Sequence, residues 1–200
     1  MAAPDLALAL ALTIRHDGHG GVADDLAAPE GLTRWVHEHA TALGRDASDT
    51  FAADQDALDA VRDLRAAVRA LFARAVRPGE PSPADALRLL PVEEALARLN
   101  AAAAAVPTIQ RLDWAQDTDP TARVLASAPA SERRLLTAAL ARAAVGFLAG
   151  PDRARLRACH APRCVRYFLK EHPRQEWCKP SCGNRARVAR HHERHRAESA

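Results

Sequence analysis

Two short motifs, Cys159-His-Ala-Pro-Arg-Cys164 and Cys178-Lys-Pro-Ser-Cys182, contain all four cysteines of this 200-residue chain. Thirteen residues separate the motifs, and the 158 residues before the first motif contain no cysteine. Zn²⁺ prefers four sulfur or nitrogen ligands in a tetrahedron, and each closely spaced pair supplies one edge of it. Four thiolates leave no open coordination position, so such a site is structural rather than catalytic. The spacing therefore predicts one structural zinc ion per chain, bound by Cys159, Cys164, Cys178 and Cys182.

Two disulfides are the alternative interpretation of four cysteines. A secreted disulfide framework usually staples a whole small domain and follows a signal peptide. Here the apolar stretch 6–12 is short and follows Asp5 rather than a basic region. No stretch approaches the roughly 18 apolar residues that a membrane span needs. We therefore expect a cytoplasmic protein with reduced thiols and no membrane contact.

The residues around the cysteines predict a small treble-clef-like finger, a β-hairpin followed by a helix. Residues 165–170 alternate as in a strand, 171–174 supply a turn, and 175–177 lead back to Cys178. Residues 184–196 are predicted to form a helix whose first amides favour the negative charge of the thiolates. The last 50 residues have too few large apolar side chains for independent stability. Zinc is therefore expected to stabilise the fold by roughly 10–16 kcal/mol.

Before Gly150-Pro151 the sequence predicts a mainly α-helical domain, residues 1–150, which carries one small β-hairpin. Residues 6–14 fit either a buried strand or a first helical turn. Charged residues along one face of the longest helix, among them Arg62, Arg65 and Arg69, are expected to need mostly water. Helices are predicted over residues 29–43, about 50–76, a short stretch that begins at Pro83, Pro91 to about 104, and 132–149. Ser48 or Asp49 is the predicted cap of the second and longest of these helices. The predicted hairpin pairs residues 108–114 with residues 121–126.

The charge of the chain changes sign at that boundary. The net charge is +3, but residues 1–150 contain 15 Arg and 20 Asp or Glu, a net charge of −5. Residues 151–200 contain 13 Lys or Arg and 5 acids, a net charge of +8. A basic finger beside an acidic body indicates a polyanionic partner for the finger.

The predicted C-terminal helix concentrates this positive charge. Arg187, Arg190 and Arg194 fall within about 60° of one another at helical spacing, and Arg185 lies on another face. Such a helix fits the major groove of DNA, where arginine reads guanine or contacts phosphate. The alternatives are that this helix docks on an acidic protein partner, or that it is a solvated cover over the zinc site with a purely structural role. Because one finger covers only roughly 600–1,000 Å² of DNA, useful sequence specificity is expected to need a homodimer or a second protein.

The motif Trp177-Cys178-Lys-Pro-Ser-Cys182-Gly-Asn-Arg185 resembles the CGNR zinc finger, over about residues 151–196. The first 150 residues resemble the ABATE domain that usually precedes this finger, through a Leu-rich opening, the step Asp24-Asp25-Leu26 and a helix with Trp35. The resemblance implies a stress-induced regulator of transcription that binds DNA. This chain departs from the family pattern in having Ala9 and Leu12 at the usual Asp and Asn positions, with Thr13 retained, and three residues rather than four between Cys178 and Cys182.

No enzyme class is indicated by the sequence. It has no nucleotide-binding glycine loop, no Gly-x-Ser-x-Gly elbow and no His-Glu-x-x-His pair. A regulator needs something to sense, so a pocket for an effector in the helical domain is the more reasonable expectation. The sequence indicates neither the ligand nor the residues of that pocket.

Overall fold

A computed structural model describes residues 5–19, 21–45, 50–85 and 88–198 of the chain. Within these residues, six α-helices are accompanied by three separate two-stranded antiparallel hairpins, β1–β2, β3–β4 and β5–β6. The helices are α1 Leu6–Ala11, α2 Pro29–Glu38, α3 Gln55–Ala75, α4 Val92–Ala104, α5 Glu132–Ala149 and α6 Pro180–Glu198. The strands are β1 Ile14–His16, β2 Val22–Asp24, β3 Thr108–Asp113, β4 Thr121–Ala126, β5 Leu156–Ala158 and β6 Tyr167–Leu169. No helix among the described residues is long and apolar enough to cross a bilayer.

The opening apolar stretch forms a helix, α1, rather than a strand. The carboxylate of Asp5 accepts hydrogen bonds from the backbone N–H groups of Ala7 and Leu8, at 2.9 and 3.1 Å. These bonds satisfy amides that a helix start leaves without partners. Leu6 and Leu10 lie on the buried side of α1. The cap and the buried side decide between the two structures that the sequence allowed.

The long helix α3 lies at the centre of the helical body. Its predicted apolar stripe is confirmed, since the side chains of Leu58, Val61 and Val68 are buried. The helix begins later than expected, because the Asp54 carboxylate accepts a 2.7 Å hydrogen bond from the Ala57 N–H and caps it there. The caps predicted at Ser48 or Asp49 lie outside the described residues.

The charged face of α3 differs from the prediction at two positions. Arg65 and Arg69 are 6% and 2% exposed, because β1–β2 and the segment 82–85 cover this face. Arg65 makes a two-pronged ion pair with Asp24, both distances being 2.6 Å. Burial opposes ionisation of Asp24, but the Arg65 guanidinium outweighs it and the pKa of this carboxyl is lowered. The expectation that these arginines need only water is therefore wrong.

The hairpin predicted in the body is present, whereas the helix predicted from Pro83 is not found in the described residues. The predicted hairpin is confirmed as β3–β4, and it projects its apolar side chains into solvent, with Leu112 65% and Trp114 69% exposed. The helix predicted from Pro83 is wrong over the described residues 83–85, which form a turn. There the side chains of Ser82 and Asp85 bond to other elements instead of continuing a helix.

The finger keeps the predicted hairpin and helix but pairs different strands. Strand β6 pairs with β5, which precedes the first cysteine pair, and not with residues 175–177. The cysteine motif itself closes this hairpin, since the Cys159 N–H donates to the Arg166 carbonyl at 2.9 Å. Helix α6 begins before Cys182 rather than after it, so that this ligand lies in its first turn.

The hairpin of the finger completes the core of the helical body. Leu156 and Tyr167 are fully buried in the same apolar cluster as α3 and α5. The Tyr167 ring meets Phe72 edge-on, with centroids 5.5 Å apart, and Phe72 in turn packs on Phe147. Packing thus crosses the sequence boundary at Gly150-Pro151, and the finger is stabilised by the body as well as by its own ligands.

Candidate metal centre and nucleic-acid interface

The four cysteine sulfurs converge on one point of the finger. All four Sγ atoms lie within 4.8 Å of one another, and Cys159, Cys164 and Cys182 are buried. The Cys164 and Cys178 sulfurs are 3.7 Å apart, and those of Cys178 and Cys182 are 3.4 Å apart. A zinc–sulfur bond of about 2.3 Å gives a tetrahedron with edges of about 3.8 Å. The cluster therefore has the size and the ligand chemistry of a closed site for one zinc ion.

Local backbone structure holds each cysteine in place. The Cys164 N–H donates to the Ala161 carbonyl at 2.8 Å, within a tight turn where Arg163 adopts a left-handed φ of 63°. The Cys182 N–H donates to the Lys179 carbonyl at 3.0 Å as α6 begins. The first cysteine motif is thus a tight turn and the second is the start of α6. The two cysteine pairs, which are distant in the sequence, face each other in the fold.

The electrostatics of the cluster favour a bound cation. Hydrogen bonds with Cys159 and Cys178 lower the pKa of Cys164, whereas hydrogen bonds with Cys159 and Cys164 raise the pKa of Cys178. The two shifts oppose each other because one negative charge is shared within the cluster, and a second thiolate is repelled by the first. A dication removes that repulsion, so all four thiols can ionise when zinc binds.

Arg185 belongs to the finger's own structure. Its guanidinium donates to the Cys182 sulfur at 3.2 Å and to the Pro162 carbonyl at 3.1 Å. These bonds tie α6 to the first cysteine motif and place a positive charge beside a thiolate. Arg185, which was predicted to contact nucleic acid, is exposed and uses two of its donors for these bonds within the finger.

The other three predicted arginines lie together. Arg187, Arg190 and Arg194 are exposed and line one recess along α6, with His191 and Glu193. Arg187 donates to the side chain of Asn184, and Arg190 donates weakly to the Ala186 carbonyl at 3.4 Å. Both contacts lie within α6 and orient the guanidinium groups along it. The structure therefore brings these three together and separates them from Arg185.

A buried polar network that sequence reasoning missed joins the finger to the body. The Tyr167 hydroxyl donates to Asp85 at 2.7 Å, and Asp85 forms a two-pronged ion pair with Arg69, at 2.7 and 3.0 Å. Ser82 donates to the Val165 carbonyl at 2.8 Å. Burial and the Asp85 charge raise the pKa of Tyr167, so the phenol stays protonated and keeps donating. The sequence predicted a helix from Pro83 and gave no signal that residues 82–85 join the finger to the body.

Gly183 provides a test of packing beside the cluster. A Cβ at this position would lie 3.0 Å from Cδ1 of Trp177, whose ring packs against the cysteines. Gly183→Ala is expected to displace the ring and cost about 1–3 kcal/mol of finger stability, measured as easier zinc loss to a chelator. Gly146→Ala is the control, because its Cβ would meet nothing within 4 Å. Equal zinc retention by both variants would contradict the packing argument.

The fold and the cluster define a zinc-finger protein with an α-helical N-terminal body. The chain belongs to the ABATE family: the model of that family, described as "Putative stress-induced transcription regulator", matches residues 4–151. The model of the CGNR zinc finger matches residues 155–195, which include all four cysteines. A search of curated proteins finds no matching relative.

Proposed function

We propose that this protein regulates transcription by binding DNA through helix α6. The observation that carries the proposal is the exposed row of Arg187, Arg190 and Arg194 on a helix whose first turn contains a zinc ligand. A helix fixed at one end by a metal site can enter the major groove without first being ordered, which reduces the entropy cost of binding. Arginines on its surface can then contact guanine edges or phosphates.

The distribution of charge supports the same partner. Four thiolates and one Zn²⁺ contribute −2, which reduces the formal +8 of residues 151–200 to about +6. The first 150 residues carry −5 and are repelled by a polyanion. Electrostatic attraction of the finger and repulsion of the body therefore both favour an orientation in which the finger faces the DNA.

Binding of the zinc-loaded chain to mixed duplex DNA across a salt series tests the proposal. We expect Kd on the order of 10⁻⁴–10⁻⁶ M for nonspecific sequence, weakening as salt rises. Arg187→Ala, Arg190→Ala and Arg194→Ala should each weaken binding, and a lost phosphate contact should reduce the salt slope by about one. Fluorescence anisotropy of labelled DNA measures both quantities.

Arg34→Ala is the matched control, since Arg34 is an exposed arginine on α2 of the acidic body. It should leave the affinity and the salt slope unchanged. No salt-dependent binding by the zinc-loaded protein, or an equal loss in Arg34→Ala, would overturn the proposal. If the chain does bind DNA, selection of bound sequences from a random pool would show whether the arginines contact bases as well as phosphates.

The β3–β4 hairpin favours a second candidate, a zinc-stabilised module that binds protein. Leu112, Trp114 and Val124 expose 65%, 69% and 58% of their surfaces, which is unusual for large apolar residues on a monomer.

In the regulator that we propose, this hairpin contacts a second copy of the chain, because an antiparallel edge is self-complementary about a two-fold axis. The stoichiometry of the DNA complex distinguishes a dimer from a monomer.

We place the protein in the cytoplasm, as a non-enzymatic regulator acting in response to stress. The description of the family and the absence of enzyme motifs from the sequence support this assignment. The helical body would bind an effector and pass its effect to the finger.

A further inference from the structure

A cleft of about 700 Å³ opens beside α3 in the helical body. Its floor is formed by Arg62, Arg65 and Arg69 of that helix. One wall is the β1–β2 hairpin and the other is the segment after Ser82. Its size falls within the range of about 300–1,000 Å³ that is typical of small-molecule sites.

The charges that line the cleft do not balance. Four arginines, Arg62, Arg65, Arg69 and Arg88, face two carboxylates, Asp24 and Asp85. Both carboxylates are already engaged by two-pronged pairs, with Arg65 and Arg69. Two positive charges therefore remain without a close carboxylate partner in the lining.

The two remaining arginines are placed to receive an anion. Arg62 donates to the Leu26 and Ala27 carbonyls, which are neutral, and its nearest carboxylate, Asp59, is 4.0 Å away. Arg88 is exposed and has no side-chain hydrogen bond or ion pair within the described part of the chain. A carboxylate, sulfonate or phosphate in the cleft would gain charge-assisted hydrogen bonds from both.

The rim of the cleft is apolar. Val22 and Leu89 lie among its lining residues and expose 51% and 39% of their surfaces, and Ile14 lies beside them. A ligand with a small apolar body would cover these side chains and gain by removing them from water. The lining therefore matches an amphipathic anion better than a bare inorganic one.

From this lining we infer that the cleft binds a small organic anion with an apolar body, and that it is the effector site of the regulator. The regulatory part rests on the function proposed above. Asp85 lines the cleft and also accepts the hydrogen bond of Tyr167 in the finger. A ligand that draws Arg69 away from Asp85 would therefore act directly on the contact between body and finger.

The test uses the zinc-loaded full chain and the fluorescent probe anilinonaphthalene sulfonate, an aromatic anion. We expect one probe per chain, displaced by benzenesulfonate and not by the uncharged benzyl alcohol. Arg88→Ala removes one charge-assisted contact, and Leu89→Asp replaces an apolar contact with a negative charge that repels the anionic probe. Each change should weaken binding about tenfold. Both residues are exposed, so neither change should disturb the fold.

Two controls separate the cleft from other surfaces. Arg74→Ala removes an exposed arginine of α3 outside the lining, and Trp114→Ala removes the apolar tip of the β3–β4 hairpin. Neither should change probe affinity. Absence of binding, binding unaffected by Arg88→Ala and Leu89→Asp, or loss in Trp114→Ala would overturn the inference. The probe measurement involves no DNA, so it separates the two proposals. A protein that binds the probe but no DNA would support the anion-binding cleft and refute the proposed function in transcription.

Discussion

Cys164→Ser protein is expected to lose its zinc ion, and with it the folded finger. Structural zinc contributes roughly 10–16 kcal/mol of apparent binding energy at neutral pH, far more than a finger with few large apolar side chains can replace. Tyr167 and Leu156 fill part of the core of the body, so the loss should also lower the melting temperature of the whole chain. Elemental analysis and thermal unfolding followed by circular dichroism measure the two effects.

His160→Ala is the control for this experiment. His160 is exposed, follows Cys159 directly, and carries a ring that can ligate zinc, so its loss tests the all-cysteine ligand set. This variant should keep one zinc ion per chain and the wild-type melting temperature. Zinc retained by Cys164→Ser, or lost from His160→Ala, would show that the ligand set is different.

Asp85→Asn protein is expected to be destabilised by about 3–5 kcal/mol, because the Arg69 charge would be left buried without its partner. The side chains of Arg69 and Asp85 are 3% and 8% exposed, so water cannot compensate. Tyr167 would also lose its charged acceptor. For a chain of this length, the melting temperature should fall by roughly 10 °C.

Two further variants separate the buried charge from a general effect of mutation. Glu94→Gln removes the partner of Arg98 in an ion pair whose side chains are 44% and 41% exposed, and it should cost less than about 1 kcal/mol. Arg69→Met combined with Asp85→Leu removes both buried charges and should recover part of the lost stability. Equal stability of Asp85→Asn and Glu94→Gln would refute the argument.

Local sequence signals predicted the elements whose structure depends on near neighbours. The capped helix α5, the apolar stripe of α3 and the existence of the β3–β4 hairpin follow from periodicity, caps and turn residues within a few positions. Where two structures satisfied the same local pattern, as in α1, the choice came from a carboxylate cap and a buried side. The helix expected from Pro83 failed because Ser82 and Asp85 bond to residues far away in the chain.

The candidate sites divide in the same way. The zinc ligands could be predicted from the sequence because the cysteines of each pair are only a few residues apart. Helical spacing was likewise enough to place Arg187, Arg190 and Arg194 together. The cleft beside α3 has no such signal, since its lining comes from three separate segments. Arg65 and Arg69 look like solvated surface residues until β1–β2 and the segment 82–85 cover them.

The sequence by itself therefore determined the ligand set, the helical character of the body and the reversal of charge at Gly150-Pro151. These features depend on residue type and spacing, which folding does not alter. Only the tertiary structure decided how the finger is held. Tyr167 and Asp85 meet across 82 positions of the chain, and β6 pairs with β5 rather than with the residues after the turn. Such contacts are selected by the burial of a shared core and by the pairing of buried charges, and both depend on the whole fold.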